Sequence, residues 1–86
     1  MTEIIKLGAS WCGPCKVMDS ILDAIEIEHG ITITRIDIDE HPEYKETYGI
    51  RSIPTLVVTT PVGFNMISGG KTKTEVIEFL EGAGVL

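Results

Sequence analysis

Eighty-six residues, 43% hydrophobic and 23% charged, are enough for one small globular domain over residues 1–86 and too few for a second. Thirteen Asp and Glu against seven scattered Lys and Arg leave a net charge of −6, which removes the basic footprint that nucleic acid requires. No run approaches the roughly 20 apolar residues that cross a bilayer, and Met1-Thr2-Glu3 leading straight into Ile4-Ile5 lacks the form of a signal peptide. The expectation is a cytoplasmic monomer with neither nucleic acid nor membrane as partner.

Glu3 to Leu7 reads as a short strand, rich in branched side chains and closed by Gly8. Ser10 to Cys15 has the look of a strand-to-helix corner. Beyond it Val17, Met18, Ile21, Leu22 and Ile25 recur at helical spacing, opposite Asp19, Asp23 and Glu26, with Gly30 as the stop. Residues 31–38 form the second predicted strand. Asp39-Glu40-His41-Pro42 then resembles a helix start, and a short helix runs to about Tyr48 before Gly49. Thr55–Thr60 and Phe64–Ser68 are strands joined by the tight Pro61-Val62-Gly63 connection, hence an antiparallel hairpin. Gly69-Gly70 interrupts the chain. Thr72-x-x-Glu75 fits a capping box ahead of a last helix carrying Val76, Ile77 and Leu80.

The order β-α-β-α-β-β-α places this chain in the α/β class. Its first three elements make a right-handed βαβ unit with parallel strands, and the hairpin adds antiparallel ones. A four-stranded mixed sheet flanked by helices follows.

The two cysteines are three positions apart. A disulfide across so short a loop removes little chain entropy, so it makes a poor structural staple. Trp11-Cys12-Gly13-Pro14-Cys15 stands where a strand ends and a helix begins, and a helix N-terminus offers unpaired N–H groups and a positive dipole end. Both favour a thiolate at Cys12, in the cap position; Cys15, one turn on, reaches the same sulfur from behind. Gly13 and Pro14 suit a tight first turn, and Lys16 adds positive charge. Such pairs exchange disulfides: the first sulfur attacks and the second resolves the mixed disulfide. A zinc site needs four ligands, and His29 and His41 do not complete a finger spacing. A metal cluster shared between two chains would need one such pair from each, and buried cysteines can simply fill a core. Neither use suits a Gly-Pro corner as well as exchange does, and no metal ligand set is predicted.

Trp11-Cys12-Gly13-Pro14-Cys15-Lys16 resembles the active-site hexapeptide of the thioredoxins. Tyr48-Gly49-Ile50-Arg51-Ser52-Ile53-Pro54-Thr55-Leu56 is similar to the second signature of that family, and Ile36-Asp37-Ile38-Asp39 and Gly70 fall at suitable places. The resemblance covers nearly the whole chain and implies a minimal thioredoxin fold of glutaredoxin size. It implies a thiol–disulfide oxidoreductase with no cofactor beyond the Cys12–Cys15 disulfide. Electrons would come from thioredoxin reductase or the glutathione system, and disulfide-containing clients such as ribonucleotide reductase would receive them. It further implies a cis Pro54 beside the cysteines, an Ile53 backbone free to bond an extended substrate, and a shallow apolar rim completed by Trp11 and Gly70. A glutathione-dependent, glutaredoxin-like reductase and a non-redox binding subunit are the competing functions.

Two departures from the family matter. The N-terminal strand and helix of an ordinary thioredoxin are missing, so the strand at 31–38 becomes a sheet edge, guarded by Arg35 and Asp37. The family's buried aspartate, six positions before the first cysteine, is replaced by Lys6, and its lysine partner by Arg35. Two adjacent buried cations are costly, so one must reach solvent or pair with an acid such as Asp37. Lys6 is expected either to stabilise the thiolates or to act as a base towards Cys15, unless it is a plain snorkelling surface lysine. Ser20 stands where thioredoxins have a mid-helix proline, which predicts a straighter helix.

Overall fold

The computed structural model describes residues 2–86. Seven elements follow in the predicted order: β1 (Glu3–Gly8), α1 (Gly13–His29), β2 (Thr34–Asp37), α2 (Glu43–Tyr48), β3 (Thr55–Thr60), β4 (Gly63–Ser68) and α3 (Lys73–Gly82). The strands form one sheet in the order β2-β1-β3-β4. β1 pairs parallel with β2 and antiparallel with β3, and β3–β4 is the antiparallel hairpin. The mixed sheet is as expected, and β2 does lie at an edge.

Alternation along the strands sends side chains to two different cores. Ile4, Leu56 and Val58 pack with Met18, Leu22 and Ile25 of α1 and with Val76 and Leu80 of α3. Ile5, Leu7 and Val57 point the other way, towards Ile38, Ile50 and the α2 tyrosines Tyr44 and Tyr48. Cys12 and Cys15 belong to this second cluster. Leu7, Leu22, Leu56, Val57, Val58 and Leu80 are wholly buried, and each such side chain contributes roughly 1.5–3 kcal/mol through removal from water.

The helix ends follow from local chemistry. α1 closes at Gly30, whose left-handed backbone (φ 64) lets its N–H reach Glu26 O at 2.9 Å. α3 begins at a complete capping box: Thr72 Oγ1 accepts the Glu75 N–H at 3.2 Å and Glu75 Oε1 accepts the Thr72 N–H at 2.9 Å. α1 runs unbroken for 17 residues through Ser20.

Two elements differ from expectation by more than one residue. α2 starts at Glu43, with Pro42 as its cap, because the stretch from Asp39 to His41 is spent on a turn in which Asp37 Oδ1 accepts the Asp39 N–H at 2.8 Å. β2 covers only residues 34–37 of the predicted 31–38. The Ile33 N–H, where a longer strand would seek a ladder bond, is taken by Glu26 Oε2 of α1 at 2.8 Å. Arg35 is likewise drawn to α1, donating to Glu26 Oε1 and Asp23 Oδ1 at 2.7 Å each. It therefore ties the edge strand to the helix rather than guarding a free edge.

Glu26 thus joins helix and edge strand, and the bond from the Ile33 N–H, assisted by Arg35 and opposed by desolvation, holds its carboxyl below the usual glutamate range. A depressed carboxyl contributes stability that is present above its unfolded pKa and is lost as pH falls through the folded one. Glu26→Gln is accordingly expected to cost about 1 kcal/mol at pH 7. Urea unfolding of both proteins should show that gap closing as pH drops below ~4.3, where the unfolded carboxyl protonates.

Candidate active site

Where β1 ends, the chain turns so tightly that the Cys12 N–H bonds Ala9 O at 3.1 Å. Cys12 is the N-cap of α1, extended at φ −89 and ψ 107, and its sulfur accepts the Cys15 N–H at 3.2 Å. A sulfur here fills the place of the usual Ser or Asp oxygen. Proline in the first turn has no N–H to satisfy, and no acid in that turn opposes a negative sulfur. Cys12 and Cys15 are joined as a disulfide with Cα atoms 5.3 Å apart. Both are buried.

Around this corner lie three recesses. One, of about 280 Å³, lies between Trp11 and Ile53 and is lined further by Ile38, Ile50, Lys45 and Arg51. Trp11 is 68% exposed, and its indole is steadied by Nε1 donating to Asp39 Oδ2 at 2.8 Å. A large exposed aromatic held in place beside a groove is suited to contact with another molecule. The Ile53–Pro54 peptide bond is cis. Pro54 is buried and its carbonyl takes the Gly69 N–H at 2.8 Å, extending the β3–β4 pairing by one bond, with Ile53 lying just beyond. Gly70 lines a second, more apolar recess of about 240 Å³ with Pro14, Val17, Met18 and Lys71. The structure brings Trp11 to Ile53, and Gly70 to Pro14.

Behind the pair is the third recess, about 430 Å³, whose lining includes Lys6, Gly8, Cys15, Asp19 and Arg35. Lys6 is 5% exposed, so it is no snorkelling surface residue. Its register partner on β2 is Arg35, so the two cations do stand side by side. The charges are resolved by Asp19 rather than Asp37: Asp19 Oδ1 lies 2.9 Å from Lys6 Nζ and 3.5 Å from Arg35 Nε. Asp19 Oδ1 is buried without a well-aligned hydrogen bond, so the contact with Lys6 is one of charge. Asp37 is occupied in the Asp39 turn.

Gly8 shows how near the ammonium comes to the chemistry. A methyl group built there would sit 2.8 Å from Lys6 Nζ and 3.1 Å from Cys15 Sγ. Nitrogen and sulfur are therefore within about 6 Å of each other, a range in which a cation favours a thiolate. Only glycine leaves room for both.

Helical periodicity alone casts Asp19 and Glu26 as solvent-facing acids, and the structure gives both of them partners on the sheet. The signal that could have found this is their spacing with Asp23, which puts three acids on one helix stripe opposite two basic strand positions.

The sequence model of the family described as Thioredoxin matches residues 2–82. Thioredoxin 1 of Nostoc sp. is 35% identical over 81 residues, 91% of this chain and 76% of that protein. A thioredoxin of Chlamydia caviae is 43% identical over 56 residues, 64% of this chain. That match spans 55% of the Chlamydia protein, and a thioredoxin of Porphyra purpurea is matched over 53% of its length, so the chain spans about half of these relatives. Among solved structures, the germline-specific thioredoxin Deadhead of Drosophila melanogaster superposes with a TM-score of 0.83 at 25% identity, covering 94% of this chain and 79% of the other.

Removing the carboxylate that answers Lys6 leaves a buried ammonium short of a partner, which is expensive. Asp19→Ala should cost about 2 kcal/mol, less than a fully buried pair because Asp19 is partly exposed. Lys6→Met in the same background should recover most of that loss. Denaturant unfolding of the two single variants and the double variant reads this coupling directly.

Proposed function

This chain belongs to the thioredoxin family, and on that premise we propose that it reduces protein disulfides by dithiol exchange through Cys12 and Cys15. The observation that carries the reading is the position of the disulfide: its first sulfur caps α1 and its second is buried one turn on. The groove between Trp11 and Ile53 lies beside them.

In the reduced protein the Cys12 thiolate, favoured by the helix terminus, attacks one sulfur of a client disulfide. The client S–S bond breaks, its far sulfur leaves as a thiolate and takes a proton from water, and a Cys12–client disulfide forms. Cys15, as thiolate, then attacks Cys12 Sγ. The mixed disulfide breaks, the second client thiolate departs, and the Cys12–Cys15 bond forms. Two electrons have passed from protein to client. The dithiol carries them itself, so no dissociable cofactor enters.

Lys6 and Asp19 serve the second step in this reading. Held against a carboxylate, Lys6 acts as a cation and not as a base. Its ammonium stabilises the Cys15 thiolate, and Asp19 keeps it in place. Gly8 positions the two by leaving the space between them open. Trp11 and Ile53 contact the client, with the Ile53 backbone bonding an extended segment; Pro54 shapes that wall, and Gly13, Pro14 and Gly70 keep the corner low.

The hexapeptide identity favours thioredoxin reductase over glutathione as the electron donor. A monomer working in the reducing cytoplasm, on clients of the ribonucleotide reductase kind, fits a chain whose two cysteines serve exchange. Among the described residues no helix is long and apolar enough to cross a membrane.

The test couples NADPH oxidation to insulin reduction, with thioredoxin reductase in one mixture and glutathione plus glutathione reductase in the other. Turnover is expected in the first and should vanish with Cys12→Ser. Cys15→Ser should accumulate the mixed disulfide. Lys6→Met should slow release of that mixed disulfide severalfold, because the positive charge beside the Cys15 sulfur is lost, while leaving the first attack unchanged. Silence in both mixtures, with Cys12 still reactive towards a small thiol reagent, sets the reductase reading aside in favour of a binding subunit.

A further inference from the structure

The charged side chains are sorted around the cysteine corner in a way that dithiol exchange itself does not need. Of the seven Lys and Arg, three are committed to carboxylates: Lys6 to Asp19, Arg35 to three acids of α1, and Lys73 to Glu28. The other four, Lys16, Lys45, Arg51 and Lys71, make no ion pair among the described residues. Every one of these four lines a recess beside the corner: Lys16 the recess behind Cys15, Lys45 and Arg51 the Trp11–Ile53 groove, and Lys71 the recess at Pro14 and Gly70.

The whole molecule shows the same division. Residues lining the three recesses include six Lys and Arg and four Asp and Glu. The rest of the chain holds one Lys and nine Asp and Glu. The recess behind Cys15 is balanced, with Lys6, Lys16 and Arg35 against Asp19, Asp37 and Glu40, so the excess lies in the two grooves, where Lys45, Arg51 and Lys71 face Asp39 alone in a protein of net charge −6. Asp39 is itself turned to the Trp11 indole. Unpaired cations clustered on one face add nothing to fold stability, since they repel one another; they shape encounter with a charged partner.

Resting on the disulfide-reductase reading, we propose that the preferred client presents its disulfide on an extended segment flanked by Asp or Glu. The apolar parts of the two grooves, Trp11 and Ile53 on one hand and Pro14 and Val17 on the other, take the residues next to the reacting cysteine. Lys45, Arg51 and Lys71 meet the acidic side chains beyond them. A basic client is turned away by the same charges.

The test uses two disulfide-linked peptides of equal length, one with Glu on both flanks of the cysteine and one with Lys. The fully reduced protein is mixed with each in stopped flow, following the fluorescence of Trp11, the only tryptophan. Each rate is divided by that peptide's rate with dithiothreitol, which removes the intrinsic reactivity of the disulfide. The Glu peptide is expected to react about tenfold faster at low ionic strength, with the ratio collapsing towards one at ~1 M salt. Lys45→Glu with Arg51→Glu, and separately Lys71→Glu, should shrink or reverse the preference. Equal normalised rates, or a faster Lys peptide, overturn the proposal even if hydroxyethyl disulfide, an uncharged probe, is reduced normally. Failure to reduce all three disulfides overturns the reductase reading and takes this proposal with it.

Discussion

A lysine buried in the middle of a sheet needs an answering charge, and much of this molecule is arranged around that need. β1 is paired on both sides, so Lys6 cannot reach solvent past a neighbouring edge. The carboxylate comes from the helix above. Asp19 meets Lys6 at 2.9 Å, and Arg35 on the adjoining strand reaches the same acid and two more. The ion pairs and the apolar stripe of Met18, Leu22 and Ile25 act on the same helix, one fixing its rotation and the other its contact with the sheet. Desolvating these charges is costly and offsets much of their mutual attraction.

The same arrangement carries the chemistry. The helix that supplies Asp19 has Cys12 as its cap and Cys15 in its first turn, so whatever anchors α1 also places both sulfurs. Gly8 ends β1 at the point where sheet, ammonium and buried sulfur converge, and its missing side chain is what lets them share the space. Local structure, packing and reactivity thus depend on a handful of atoms. The site is formed by rigid elements on one side and by the Ile53–Pro54 turn on the other.

The edge strand illustrates how tertiary demands shorten an element that its own pattern would extend. Ile31 to Ile38 alternates like a strand, yet Glu26 captures the Ile33 N–H and leaves only four residues in the ladder. The helix carboxylates offer charge-assisted bonds to backbone and guanidinium together, and such bonds are stronger than the neutral ladder bond they replace. Arg35 becomes part of that junction instead of a deterrent to pairing.

Read by itself, the sequence determined the order of the elements, the hairpin, both glycine stops, the capping box at Thr72 and the cap position of Cys12. Each is a short-range matter of periodicity, turn chemistry or helix-end hydrogen bonding, settled within a few residues. The cis state of Pro54 came from resemblance, since the local chain favours trans. Tertiary structure alone decided that Asp19, not Asp37, answers Lys6, that Lys6 is buried within reach of Cys15, and that Gly70 shares a recess with Pro14. Only in three dimensions do the four unpaired cations collect beside the cysteines, though they are spread from position 16 to position 71. Charge acts through space and not along the chain, and no pattern of spacing reports which distant segment folding will bring into its range.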